Sequence, residues 1–238
     1  MKIEIVTHCW RYSTLLTYQL SSLVLYPPRH ATVLATVFFT ESDRATCEVL
    51  RHFSQSDKPA NVTIRGWDLP REQLLRRAIG RNMAALATAA DWVWFADCDY
   101  CFGENALDTL GDLLSQSGED LVFPRFVWSN RSEEAGDETI DRARGGVCIV
   151  GIDPRNFVAM PLNRAIGGVQ IVRGEIARAQ GYRTSNRRQQ KPALRWMRTF
   201  EDVQFRRCLG TEGTPIDLPN VFRILHSRHG RTHLDARL

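Results

Sequence analysis

The chain has 238 residues, 43% of them hydrophobic and 24% charged, with a formal net charge of +4. That composition excludes bulk disorder, suits one large α/β domain or two small ones, and carries too little positive charge to argue for nucleic acid as a partner. Lys occurs only at positions 2, 58 and 191, so Arg supplies 28 of the 31 basic residues. The planar guanidinium suits phosphate, although a GC-rich coding bias gives the same excess without a function.

The first residues, Met1 to Val6, run straight into a strand pattern, so no signal peptide is expected. No apolar run reaches the length of a membrane span. Cys9, Cys47, Cys98, Cys101, Cys148 and Cys208 are scattered and read as free thiols of a cytoplasmic protein. Cys98 and Cys101 form a CxxC pair, but no second pair follows at zinc-ligand spacing.

In chain order, residues 3–7 predict a strand, and residues 13–25 predict a helix that Pro27 and Pro28 stop. A buried strand follows over 31–39, a short helix over 45–53, a strand over 61–64, a long helix over 71–90 and a fully apolar strand over 92–96. This β-α alternation predicts an α/β domain with a mostly parallel central sheet and helices on both faces. A helix over 104–114 and a strand over 121–128 come next. The tract 129–144 is polar and without periodicity, and is expected to be a mobile loop that orders over a bound ligand. Strand character returns over 165–173. A basic stretch covers 183–198, a helix 199–209 and a last strand 220–225, before a basic, His-rich tail.

Asp97-Cys98-Asp99 ends the apolar strand. Ligands of open α/β sheets bind outside the carboxyl ends of strands, and two carboxylates there resist burial unless a divalent cation relieves their repulsion. The alternative is a solvated loop with a helix cap. Arg81-Asn82 lies in the preceding helix and reads as an ordinary polar face when taken alone. Gly167-Gly168 permits close backbone approach or a plain turn. Thr199 and Asp202 have the spacing of a capping box, while a carboxylate of Glu201-Asp202 could instead serve as a general base on a hydroxyl. His226 follows the last strand, with His229 and His233 beyond it. Arg223, Arg228 and Arg231 surround it as a phosphate pocket would.

In this order the features resemble the family 2 glycosyltransferases of the GT-A fold. The matches are Thr7 to Tyr12, Arg81-Asn82, Asp97-Cys98-Asp99, Gly167-Gly168, Glu201-Asp202 and His226. The resemblance covers nearly the whole chain. It implies a single GT-A-type domain in which residues 1–128 bind the nucleotide sugar and residues 129–238 bind the acceptor and supply catalysis. It implies a divalent cation, Mn2+ or Mg2+, held by Asp97, Asp99 and His226. It implies Asp202 as the base of an inverting transfer, with Glu201 as the next candidate. Thr7, Arg11, Glu41, Arg81, Asn82, Asp97, Gly167 and Gly168 would contact the donor, a nucleoside-diphosphate sugar with UDP-sugar favoured. The acceptor would be a carbohydrate or another hydroxyl compound.

The sequence departs from the family at the end of the second strand, where paired acids are usual. Here Glu41 and Asp43 are separated by Ser42. A phosphatase of the haloacid dehalogenase type also uses a DxD after a strand. It wants Thr or Val where Cys101 stands, a motif near the N-terminus and a later lysine, for which only Lys191 is available. A retaining transferase, a nucleotidyltransferase and a catalytically silent sugar-nucleotide-binding protein remain as further alternatives.

Overall fold

Strand β1 (Lys2–His8) is buried along almost its whole length, because neighbours cover it on every side. It pairs in parallel with β2 (Thr32–Phe39) on one edge, after the helix α1 (Ser13–Leu25). Helix α2 (Arg44–Gln55) leads to β3 (Val62–Asp68), parallel to β2. The computed structural model describes residues 1–57, 59–143, 145–196 and 199–227. His229 and His233, with Arg228 and Arg231, therefore lie outside the described residues.

The long helix expected over 71–90 is two helices, α3 (Arg71–Leu74) and α4 (Arg77–Ala87). Arg76 breaks the run with φ −109° and ψ 84°. Its buried guanidinium donates from Nε to the carbonyl of Lys191 at 3.1 Å, a tertiary bond that overrides the good helix propensity of the sequence. Strand β4 (Trp92–Phe95) then pairs in parallel with the other edge of β1. Covered on both faces, it is apolar throughout rather than alternating. The third strand also runs farther than residues 61–64, because its mostly exposed residues gave no apolar signal.

Downstream of β4 come a short strand β5 (Tyr100–Phe102), helix α5 (Ala106–Gln116) and two strands where one was expected, β6 (Leu121–Pro124) and β7 (Phe126–Asn130). Arg125 divides them, and they join different sheets. The tract expected to be a mobile loop instead completes β7 and forms helix α6 (Glu133–Arg142). Ser132 caps this helix, accepting the amide of Ala135 at 3.3 Å, and acids at its start with Arg142 at its end suit the helix dipole. Its buried face is Gly136, Asp137, Thr139 and Ile140, mostly small or polar, so apolar periodicity could not reveal it. Asp137 accepts the amide of Ser227 at 3.2 Å and also takes its hydroxyl.

Strand β8 (Phe157–Pro161) follows, then β9 (Gln170–Arg173), α7 (Gly174–Gln180), α8 (Glu201–Leu209), β10 (Thr214–Ile216) and β11 (Val221–Arg223). The large sheet has seven strands in the order β10-β6-β9-β4-β1-β2-β3, and a second sheet has the order β5-β11-β7-β8. Only β9 runs antiparallel to its neighbours in the large sheet, so four of its six pairings are parallel. Helices cover both faces. Cys9, just past β1, meets Thr46 of α2 on one side, while His8 lies against Gly80 of α4 on the other. This is the α/β layering expected from the β-α alternation. Among the described residues, no helix is long and apolar enough to cross a membrane.

Candidate functional site

The strand order reverses between β1 and β4, one winding outward to β3 and the other toward β10. A crevice opens outside the carboxyl ends of strands at such a switch point. Asp97 and Asp99 follow β4 directly there.

Asp97 is held by two arginines on one face of α4, one turn apart. Arg77 reaches its Oδ1 at 2.8 Å and Arg81 at 3.1 Å. Arg77 also bridges to Oε1 of Glu201 at 3.1 Å. Arg81 is fully buried and donates to the Gly167 carbonyl at 2.7 Å and to the Tyr182 hydroxyl at 3.0 Å. The break before α4 thus lets one short helix join the strand-end carboxylate, the glycine pair and the first turn of α8. Burial pushes the Asp97 carboxyl upward, but Arg77, Arg81 and Arg223 outweigh it and hold the pKa at about 2. Its side chain keeps 31% exposure, so it can still face a ligand.

Asp99 has the opposite environment. It is buried, accepts Nε of Arg223 at 3.1 Å through Oδ2, and leaves Oδ1 with no hydrogen-bond partner. Burial, with the nearby Asp97 charge, raises its pKa despite Arg223. A buried carboxylate oxygen without a donor is costly, and a hard cation would relieve that cost. Among the described residues no group of three or more His, Cys, Asp or Glu forms a metal cluster. Magnesium and manganese sites commonly take one or two carboxylates and complete their shell with substrate phosphates and water. Asp99 with Asp97 therefore fits such an ion. His226 stands edge-on to the Tyr12 ring, 5.8 Å between centroids.

The glycine pair is shaped by its neighbours. A Cβ on Gly168 would lie 2.4 Å from the Tyr100 ring, and the Gly168 carbonyl accepts the indole N–H of Trp94 at 3.0 Å. A Cβ on Gly167 would meet Asp202 at 3.7 Å, which places this backbone directly beside that carboxylate.

Helix α8 does not begin with a capping box. Its N-cap is Phe200, in the left-handed region at φ 53° with no side-chain cap, and Thr199 donates its hydroxyl to Glu201 instead. The purely structural account of Thr199 and Asp202 is thereby removed. Glu201 is buried; burial pushes its carboxyl up, but Arg77 and Arg81 hold it below the usual range. Asp202 keeps 24% side-chain exposure, with Arg206 3.5 Å away.

The remaining expected donor contacts are not brought together in one place. Thr7 is buried at the end of β1, its hydroxyl without a hydrogen-bond partner. Arg11 has φ 60°, donates its amide to Asp43 at 2.6 Å and lies over the Trp10 ring. Glu41 is exposed, donates its amide to Asp68 at 3.0 Å, and lines an open depression with Arg44, Cys47, Glu48 and Arg51. None of the residues of the carboxylate cluster lines that depression. Asn82 faces the turn after α7, accepting the Tyr182 amide at 2.8 Å and the Thr184 hydroxyl at 2.6 Å. Sequence reasoning missed Arg77 and Tyr182. The four-residue spacing of Arg77 and Arg81 before Asp97 was the available signal, and it was hidden inside a helix read as continuous.

No family profile and no curated protein matches the chain by sequence. Solved structures do match. The mannosyltransferase PcManGT from Pyrobaculum calidifontis, solved with GDP-Man and Mn2+, aligns over 96% of this chain and 58% of its own, with TM-score 0.57 and 12% identity. S. aureus TarS residues 1–349 align over 80% of this chain and 53% of their own, with TM-score 0.49 and 12% identity. The chain spans little more than half the length of these structures. The likeness to the mannosyltransferase shows the fold: this chain has the α/β architecture of that enzyme.

Proposed function

We propose that the chain is a glycosyltransferase of the GT-A type, similar to family 2. It moves a sugar from a nucleoside-diphosphate donor to an acceptor hydroxyl with inversion at the anomeric carbon. One observation carries this reading. At the switch point Arg77 and Arg81 draw Asp97 together with Gly167 and the first turn of α8, and Asp99, two residues on, is held by Arg223. The fold shared with a mannosyltransferase that binds GDP-Man and Mn2+ supports it.

The residues then divide the work. Residues 1–128 supply the donor crevice, and residues 129–238 bring the glycine pair and α8 to it. Asp99, with Asp97, would hold Mn2+ or Mg2+. The ion supplies charge neutralisation for the departing nucleoside diphosphate. Arg77 and Arg81 orient Asp97 and add positive potential beneath the diphosphate. Thr7, with its unpartnered hydroxyl, faces the nucleoside alongside Arg11 and Glu41, and a UDP-sugar is the first donor to test. Glu201 is spent on Arg77 and Thr199 and serves as a positioning group. Asp202, more exposed and beside Gly167, accepts the proton of the acceptor hydroxyl as that oxygen attacks the anomeric carbon.

The test is a panel of nucleotide sugars scored by thermal stabilisation in Mn2+. A donor at about 100 times its dissociation constant adds roughly 2.7 kcal/mol. One nucleotide sugar should raise the melting temperature in a metal-dependent manner. No response across UDP-, GDP- and TDP-sugars would sink the reading.

A further inference from the structure

From Arg183 through Phe200 the sequence carries six cations, Arg183 included, and no acid. Arg187, Arg188, Lys191 and Arg195 are exposed, and among the described residues none of them pairs with a carboxylate. Surface arginines elsewhere behave differently: Arg29, Arg125 and Arg155 each meet an aspartate, at 3.3, 2.7 and 2.8 Å. The same segment holds out Leu194 at 82% exposure, the highest of the exposed large hydrophobic residues among those described, with Phe200 following at 53%.

Residues 186–196 of the segment are fixed in place. Asn186 Oδ1 accepts the amides of Arg188 at 3.1 Å and Gln189 at 3.3 Å, closing a turn at its start. The amide of Ala193 donates to the Glu72 carbonyl at 2.8 Å, and Arg76 holds the Lys191 carbonyl. Trp196 packs 6.5 Å from the Tyr12 ring, which brings the segment to the border of the carboxylate site.

We infer that this segment docks the protein on an anionic lipid surface, with Arg187, Arg188, Lys191 and Arg195 against the headgroups and Leu194 in the acyl boundary. Two independent properties point to the same partner. Uncompensated cations attract the negative potential of an anionic leaflet, each multiplying partitioning about fivefold. A projecting leucine is unfavourable in water, gains nothing from a soluble polyanion, and is accommodated by a lipid interface. Docking of this kind needs no spanning helix. Given the proposed transferase reading, docking through this segment holds the site close to the lipid surface, because Trp196 packs beside Tyr12 at its border.

The experiment is co-sedimentation with vesicles of phosphatidylcholine alone and of phosphatidylcholine with 30% phosphatidylglycerol, alongside calorimetry with the nucleotide sugar and Mn2+. Wild-type protein should partition at least tenfold more strongly to the anionic vesicles and be released by about 0.5 M salt. The variant R187Q/R188Q/K191Q/R195Q should lose at least tenfold in partitioning. Leu194→Ser, a surface change with little risk to folding, should lose severalfold while keeping its salt dependence. Nucleotide-sugar affinity should stay within twofold in both. Equal binding to the two kinds of vesicle, or unchanged partitioning of the charge variant, overturns the inference. So does wild-type protein that ignores vesicles yet binds soluble polyphosphate, which would make phosphate itself the ligand. Vesicle binding as described without any nucleotide-sugar binding leaves the docking surface standing and removes the transferase reading alone.

Discussion

The two halves of the chain reach the site by different physics. From β1 to β4 the strands are placed by apolar packing, with Ile3, Ile5, Val93 and Trp94 fully covered between helices. From Gly167 to Glu212 the elements share that core through Val169, Ile171, Val172 and Phe205, and buried arginines are added to the apolar packing. Arg81 ties the Gly167 carbonyl and the Tyr182 hydroxyl to Asp97. Arg206, also buried, ties the Ala165 carbonyl to Glu212 at 2.7 and 2.8 Å. Apolar packing tolerates conservative repacking, whereas a buried charge demands its partners. The first half supplies the strand-end carboxylate, and the second adds buried arginine ties around it to a core that both halves share.

That contrast breaks most sharply at Arg81. Arg81→Met should cost roughly 3–5 kcal/mol, since it strips a buried partner from Asp97 and leaves the Gly167 carbonyl without its donor, while the Tyr182 hydroxyl keeps its bond to Gln170. Donor affinity should fall with it. Ile5→Ala should cost a similar 2–5 kcal/mol by opening a cavity, yet leave donor affinity near normal in the protein that remains folded. Paired denaturation and calorimetry of the two variants is the check. Equal effects on donor binding would erase the distinction between the halves.

Asp202→Asn sharpens the chemical side. Turnover should fall by about two to four orders of magnitude. Stability should change by less than about 1 kcal/mol, because Asp202 is partly exposed and caps nothing. Turnover near wild type would move the base elsewhere, first to Glu201. Gly168→Ala should destabilise by about 1–3 kcal/mol, as its methyl group would drive into the Tyr100 ring. A melting curve indistinguishable from wild type would show that the ring yields.

The smallest expected effect is in pH. Asp97 and Glu201 are held below the ordinary carboxylate range by Arg77 and Arg81. They therefore add stability that is complete above about pH 5 and drains as the pH falls toward about 2. In Arg81→Met that acid-side loss should shrink, measurable as a shallower fall in melting temperature between pH 5 and pH 3.

The same contrast decides what was legible in the sequence. Apolar strands announce themselves, and β1, α1, β2 and β4 were found within a residue or two, along with the carboxylates at the end of β4. Helix α6 reads as a loop in the sequence because Gly136 and Asp137 do the work of apolar residues on its buried face. The break at Arg76 and the split at Arg125 were invisible, since both depend on tertiary partners rather than on local preference. Arg77 was missed for the same reason. Its one mark in the sequence is the four-residue spacing from Arg81, and only the break at Arg76 turns that spacing toward two carboxylates.

On the proposed function Asp99, with its unpartnered buried oxygen, would hold a divalent cation that binds the donor's diphosphate. Calorimetry of a nucleoside diphosphate with and without Mn2+, for wild type and Asp99→Asn, tests it most directly. The expected result is metal-dependent binding in the wild type, and in the variant at least a tenfold loss of affinity with an unchanged far-ultraviolet circular dichroism spectrum. Metal-dependent binding of equal strength in Asp99→Asn would contradict it.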